Sequence, residues 1–311
     1  MPSPRRTPSF GWIPDYPDFR DYTAATTSIS DVLTAVPSAA PPGARSPRRV
    51  ASTRPARAKS SPASVDLREW CPPVEDQASL GSCTANAGVG VIEYYERKVF
   101  GRHLDASRLF LYKVTRNLMK MKGDTGAYLR KTMSAMVLFG VPPEEYWPYT
   151  DAEDGFDKEP PAFCYAFAQN FQAIQYYRHD PPGTSPKTLL GRIKSHLAAG
   201  HPSMFGFTVY ASIENADARG AIPFPGPAER ILGGHAIVAV GYDDKIKIKG
   251  KGNAAGPETT GALLIRNSWG ENWGDGGYGW LPYEYIGQGL AEDFWSILKK
   301  EWVDTGCFNT P

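Results

Sequence analysis

The string Asn267-Ser268-Trp269-Gly270-x-x-Trp273-Gly274, followed by Gly276-Gly277-Tyr278-Gly279, constrains this chain more than any other stretch. A glycine-rich turn beside a strand needs no pair of tryptophans at that spacing. Two indole rings would instead shield a hydrogen bond made by the Asn267 amide from water. Three further pieces stand upstream. They are Gln77, Cys83 within Gly81-Ser82-Cys83-Thr84, and His235 within Gly233-Gly234-His235-Ala236. In chain order they offer a side-chain amide, a thiol, an imidazole and a second amide.

Each has a chemical role that its residue type suits. Cys83 is the candidate nucleophile. A cysteine attacks only as thiolate, and a free thiol with a pKa near ~8.5 is mostly protonated at neutral pH. Its place at the start of a predicted helix lets the helix dipole favour the anion, and a neighbouring imidazolium would favour it more. Alone, Cys83 would read as a buried, inert thiol; Gly81-Ser82 and Gln77 turn the balance. His235 opens His-Ala-Ile-Val-Ala-Val-Gly-Tyr, a run that fits a buried strand, and is the candidate base and later acid. Gly233 and Gly234 leave room there for another backbone. His103, His179, His196 and His201 lack such a setting, and His196 and His201 read as surface residues around a helix end at Gly200. Asn267 would orient the imidazole without neutralising an imidazolium. Gln77, six residues ahead of Cys83, is the candidate oxyanion donor with the Cys83 backbone N–H. Such a donor contributes about 3 kcal/mol to a transition state.

The chain changes character near residue 65. Residues 37–64 are rich in Pro, Ala and Ser, with Arg45, Arg48, Arg49, Arg54, Arg57 and Lys59 and no acidic residue. That composition reads as a solvated basic tether, without the interleaved aromatics of a nucleic-acid-binding segment. Ahead of it, residues 10–22 carry five aromatic side chains punctuated by proline. An isolated tail gains nothing from aromatics in water, so this arm is expected to dock on the body, either as simple structural packing or in or near the functional cleft, which it would restrict. Residues 65–311 read as one globular domain. Helices are predicted over 84–99, 104–120 and 126–139, and strands over 204–210, 235–242, 246–249 and 262–266, with Lys245, Lys247 and Lys249 on a wet edge. Helices first and strands later imply an α+β body.

A net charge of +1 favours no highly charged partner such as nucleic acid. No apolar run suits a membrane span. The start lacks an apolar stretch behind Arg5 and Arg6, so no secretory signal is expected, leaving a cytoplasmic location or a non-classical export route. Four cysteines, Cys71, Cys83, Cys164 and Cys307, are too scattered for a zinc cluster; pairing of Cys71 with Cys307 stays open against three structural thiols.

Together the four motifs resemble papain-family cysteine peptidases, and the aromatic arm is similar to the bacterial, xylellain-like branch. The resemblance runs from Val65 to about Lys300. It implies an α+β, papain-like two-lobe fold, with a helical lobe carrying Cys83 and an antiparallel β-barrel-like lobe carrying His235 and Asn267. It implies peptide-bond hydrolysis through a thioester acyl-enzyme on protein or peptide substrates, with no cofactor and no metal. It also places Gly123, Asp124, Thr125 and Gly126 along the substrate groove, together with Gly234 and Trp269, and Val141-Pro142-Pro143-Glu144 and Trp147-Pro148-Tyr149 where the chain leaves the helical lobe. Asp293 would lie at the base of the main specificity pocket, where it would admit a basic side chain. Leu80 replaces a cysteine common among relatives, Thr84 replaces an aromatic residue, and the upstream 64 residues are shorter than a usual prosegment. An inhibitory arm would therefore be an extended segment in the cleft. An amidase, deamidase or transpeptidase with the same residues, or a non-catalytic binding protein on the same fold, remain the alternatives.

Overall fold

The computed structural model describes residues 9–26, 29, 62–101, 103–171, 175–250 and 256–298. The tether over 37–61, Cys307 and the chain after residue 298 lie outside them. Three helices lead: α1 (Cys83–Phe100), α2 (Arg108–Met119) and α3 (Leu129–Leu138), preceded by a short strand β1 (Ser64–Asp66). After the short helix α4 (Ala162–Ala168) come β2 (Gln175–Arg178), α5 (Pro186–Ala198), β3 (Ser203–Tyr210), β4 (Ile231–Ile248), β5 (Thr259–Arg266), β6 (Tyr278–Pro282), a single helical turn α6 (Glu284–Gly287) and β7 (Ala291–Leu298).

Capping chemistry sets several of these boundaries. Ser107 precedes α2, and its hydroxyl accepts the Phe110 N–H at 3.1 Å. Ser185 does the same for α5 by accepting the Thr188 N–H, with Pro186 at the first helical position. The left-handed Gly101 ends α1. Every residue of α1 from Cys83 to Glu96 is buried, so this helix is the axis of the body, not a surface element. Gly90 allows that depth: a Cβ there would stand 2.7 Å from Nη1 of Arg266 on β5.

All strand pairings are antiparallel, in the order β2-β7-β3-β4-β5-β6, with β1 on the outer part of β4. Helices followed by an antiparallel sheet match the expected α+β papain-like fold, with one correction: the sheet does not close into a barrel. Its outer strands are covered by single-residue bridges, Thr23 on Arg178 of β2 and Ala221 on Trp280 of β6. Coverage of this kind protects a strand edge without another strand. The predicted strands 235–242 and 246–249 are one strand, β4, carried through a register shift between Asp243 and Lys247.

The histidines differ from expectation. His196 and His201 are half-buried, and His179 is 1% exposed. The His179 and His196 rings meet edge-on with centroids 4.5 Å apart, and His201 Nδ1 lies 3.1 Å from the Tyr95 hydroxyl. Alternation of polar and apolar residues around Gly200 gave no sign of this cluster, because its partners on β2 and α1 are far away in sequence. Burial depresses all three imidazoles, His201 to about 4. The unfolded chain takes up protons near pH 6.5 and the folded chain only near pH 4 at His201, so stability is lost as pH falls across that window. Thermal melts should show a Tm that drops from pH 6.5 to pH 4, with a shallower drop for His201→Gln; equal slopes would contradict this.

Candidate active site

Helix α1 and strands β4 and β5 bring the candidate residues together. Cys83 is the first residue of α1, and its sulfur accepts the Ala236 N–H of β4 at 3.4 Å. His235 is the residue before Ala236, opposite Phe207 on β3. The β4–β5 register pairs Val238 with Arg266, which delivers Asn267 to the same end of the sheet. There the His235 Nε2 lies 2.8 Å from Asn267 Oδ1, so Nε2 carries the proton and donates. The other ring nitrogen, Nδ1, has no hydrogen-bond partner. Asn267 Oδ1 also accepts the Ser268 N–H at 2.8 Å, which fixes the amide orientation. Trp269 stacks on the His235 ring at 4.8 Å and Trp273 meets Trp269 edge-on, the two-indole wall that the sequence spacing demanded.

Gln77 is fully buried. Its Oε1 accepts the Ser268 hydroxyl at 2.5 Å, and its backbone N–H bonds Ser268 O at 2.9 Å. That orientation turns Nε2 outward as a double donor. One hydrogen goes to Leu80 O at 2.8 Å and the other to Ser9 O at 3.0 Å. Ser268 is a residue whose contribution the sequence string contained but did not declare.

Ser9 to Ile13 thus lie over the thiol. Gly11 donates its N–H toward the Cys83 sulfur, and its carbonyl accepts the Ala127 N–H at 2.7 Å. Trp12 N–H bonds Gly234 O at 3.0 Å, and Ile13 N–H bonds Ala127 O at 3.1 Å. The Phe10 ring sits 6.1 Å from both the His235 and Trp269 rings. Glycine is required at three of these contacts: a Cβ would stand 1.8 Å from Gly81 O at Gly11, 2.3 Å from Gly11 O at Gly126, and 2.5 Å from Trp12 O at Gly234. Of the five arm aromatics, Trp12 is buried and Phe10 partly so, whereas Tyr16, Phe19 and Tyr22 are 90%, 94% and 49% exposed. The apolar argument predicted docking for all five, and these three instead face solvent in and around the turn at Asp18–Asp21.

The remaining candidates divide. Gly126, Gly234 and Trp269 touch the arm. Gly123 is held from behind by Asp157 Oδ2 on its N–H and by Arg116 on its carbonyl, and Thr125 caps Gly126 O at 3.2 Å. Asp124 is a brace, accepting the Gly81 N–H at 2.9 Å and the Tyr112 hydroxyl at 2.6 Å. Asp293 is fully buried, with a left-handed φ of 63°. Its carboxylate takes the indole N–H of Trp12 at 3.2 Å and of Trp295 at 2.7 Å, and pairs with Arg178 at 3.1 Å. Burial raises it to about 7 against the opposing Arg178 charge.

Burial also sets the charge of the central pair. It pushes the Cys83 thiol up to about 11 and the His235 imidazole down to about 4, so both are neutral at neutral pH. The direction is opposite to that expected from the helix dipole, because a desolvated ion costs more than one turn of helix returns. A thiol, an imidazole and two side-chain amides are the groups that acyl-transfer chemistry uses. Among the described residues no group of three or more His, Cys, Asp or Glu is placed to hold a metal, Cys71, Cys83 and Cys164 are free thiols, and no helix is long and apolar enough to cross a membrane.

Known proteins share this fold. Residues 61–293 match the family model for papain family cysteine proteases. An uncharacterised peptidase C1-like protein of Acanthamoeba polyphaga mimivirus is 34% identical over 230 residues, 72% of this chain and 69% of its own length. Cathepsin K of Gallus gallus is 28% identical over 224 residues, 70% of this chain and 58% of its own. Among solved structures, xylellain, a cysteine protease from Xylella fastidiosa, superposes with a TM-score of 0.70 at 32% identity, covering 97% of this chain and 100% of that one. The chain belongs to the papain family of cysteine proteases, which are hydrolases of peptide bonds.

Proposed function

We propose that the chain is a cysteine endopeptidase in which Cys83, His235, Asn267 and Gln77 do the chemistry, and that the arm around Ser9–Ile13 holds it shut. The observation that carries both parts is one hydrogen bond, Gln77 Nε2 to Ser9 O at 3.0 Å. The donor expected to meet an oxyanion is satisfied by a carbonyl of the chain itself.

With the cleft open, the Cys83 proton passes to the unpartnered His235 Nδ1, and Asn267 on Nε2 holds the ring in position. The thiolate sulfur bonds to the substrate carbonyl carbon. The oxygen takes up the negative charge and is met by Gln77 Nε2 and the Cys83 backbone N–H. His235 returns the proton to the leaving amine, the C–N bond breaks, and a thioester remains. Water then attacks the thioester while His235 takes its proton, releasing the acid and restoring the thiol.

The arm binds as an inhibitor, not a substrate. Gly11 presents an N–H to the sulfur and spends its carbonyl on Ala127. Protein or peptide substrates would replace these contacts along Gly126, Ala127 and Gly234. Asp293 floors the pocket that Trp12 fills. Arg178 already meets its charge, so the opened pocket should favour an aromatic side chain with an N–H or O–H donor over a basic one. A peptide-library profile would show tryptophan or tyrosine enriched at that subsite; enrichment of lysine or arginine would overturn this assignment.

Turnover of a dipeptidyl amide tests the rest. Cys83→Ala should abolish it, and Trp12→Ala should raise it at least tenfold in the full chain, about 1.4 kcal/mol of lost arm docking. Full activity in Cys83→Ala would refute the nucleophile, and an unchanged rate in Trp12→Ala would refute inhibition by the arm.

A further inference from the structure

The two oxyanion donors belong to different segments. Gln77 sits in a loop before α1, and the Cys83 N–H belongs to α1 itself. A partly buried chain of hydrogen bonds joins them. The Tyr149 hydroxyl donates to Gln77 O at 2.7 Å. Having spent its one hydrogen, it can only accept from the Ser82 hydroxyl, also at 2.7 Å. Asn86, one turn into α1, donates from Nδ2 to Ser82 Oγ at 3.1 Å and to Ser82 O at 3.0 Å. The order Asn86 to Ser82 to Tyr149 to Gln77 is polarised in a single sense throughout. Ser82 occupies the position before the helix where a serine usually caps a backbone N–H, yet its side chain makes no such cap. It forgoes that cap and serves Tyr149 instead.

Beyond its hydroxyl, Tyr149 is fixed in two more places. Its N–H bonds Glu144 Oε1 at 2.6 Å, and the Arg108 guanidinium covers its ring at 4.2 Å. The same guanidinium donates to Asp76 O at 3.1 Å, the residue before Gln77, and pairs with Glu75 at 2.9 Å. Burial pushes the phenol well above its ordinary value, so it stays protonated and remains a donor.

We infer that Tyr149 is a positioning residue that sets the spacing between the Gln77 amide and the Cys83 N–H, and hence the geometry of the oxyanion site. This rests on the peptidase reading above. Tyr149 reaches neither the thiol nor the imidazole by any of these bonds, so its loss should weaken stabilisation of the oxyanion while leaving nucleophile activation alone.

The test compares two reactions of Cys83 on the same full-length preparation. Hydrolysis of a dipeptidyl amide builds an oxyanion; alkylation by iodoacetamide does not. Both need the arm displaced, so their ratio is insensitive to how often it opens. Tyr149→Phe should lower kcat about tenfold, below the ~10²–10³-fold loss on removing an oxyanion donor outright. KM and the alkylation rate should stay within twofold. Ser82→Ala, which breaks the same chain from the other side, should show the same split, and the double variant should be no worse than the poorer single one. An equal fall in turnover and alkylation would make Tyr149 a merely structural residue and overturn the inference, as would no change in either. Failure of the peptidase reading gives a different result: wild-type turnover that survives Cys83→Ala.

Discussion

Close packing of the α1 N-terminus against β4 is the constraint on which the site depends. It sets a thiol 3.4 Å from the backbone of the residue after His235. Such an approach demands a helix buried all round and interior glycines that each cost about 1 kcal/mol of helix propensity. Gly88 and Gly90 incur that cost where Leu111, Met136 and Arg266 press on α1. Arg266 in turn donates to Pro73 O, tying the end of β5 to the loop that leads to Gln77. The antiparallel register of β4 and β5 then has no freedom left in where it delivers Asn267.

The same depth of burial decides the electrostatics. A thiol and an imidazole form an ion pair only if the surroundings return more than desolvation takes. Beneath Phe10, Gly11 and Trp12 they do not, and both stay neutral. The arm makes main-chain hydrogen bonds with Gly234 and Ala127; in the inhibition proposed above it would also keep solvent from the pair. Its hold continues away from the cleft, where Arg130 pairs with Asp15 and Asp21, and where Tyr22 O accepts the Arg178 N–H.

Much of this was legible in the chain because local chemistry announced it. Gly81-Ser82-Cys83-Thr84, Gly233-Gly234-His235 and the Asn267 string each combine a reactive side chain with residues that only a close approach explains. The three leading helices followed from apolar spacing to within a few residues at most ends. What escaped notice depends on contacts distant in sequence. No local pattern shows that 235–242 and 246–249 are one strand, since that follows from what β5 offers opposite them. The burial of His196 and His201 comes from Tyr95 and Tyr177. Asp124, expected along the groove, also braces Gly81, and Tyr149, expected where the chain leaves the helical lobe, also touches the back of Gln77. A hydroxyl that works through another residue leaves no motif.

The pH dependence of Cys83 alkylation by an epoxysuccinyl peptide, followed by mass spectrometry, tests the central claim most directly. In the intact chain labelling should be slow at neutral pH and climb only under alkaline conditions, as befits a covered thiol raised to about 11. In Trp12→Ala the same residue should label rapidly at neutral pH, with the onset shifted to lower pH. Rapid labelling of the intact chain at neutral pH, at the rate of the variant, would contradict the account.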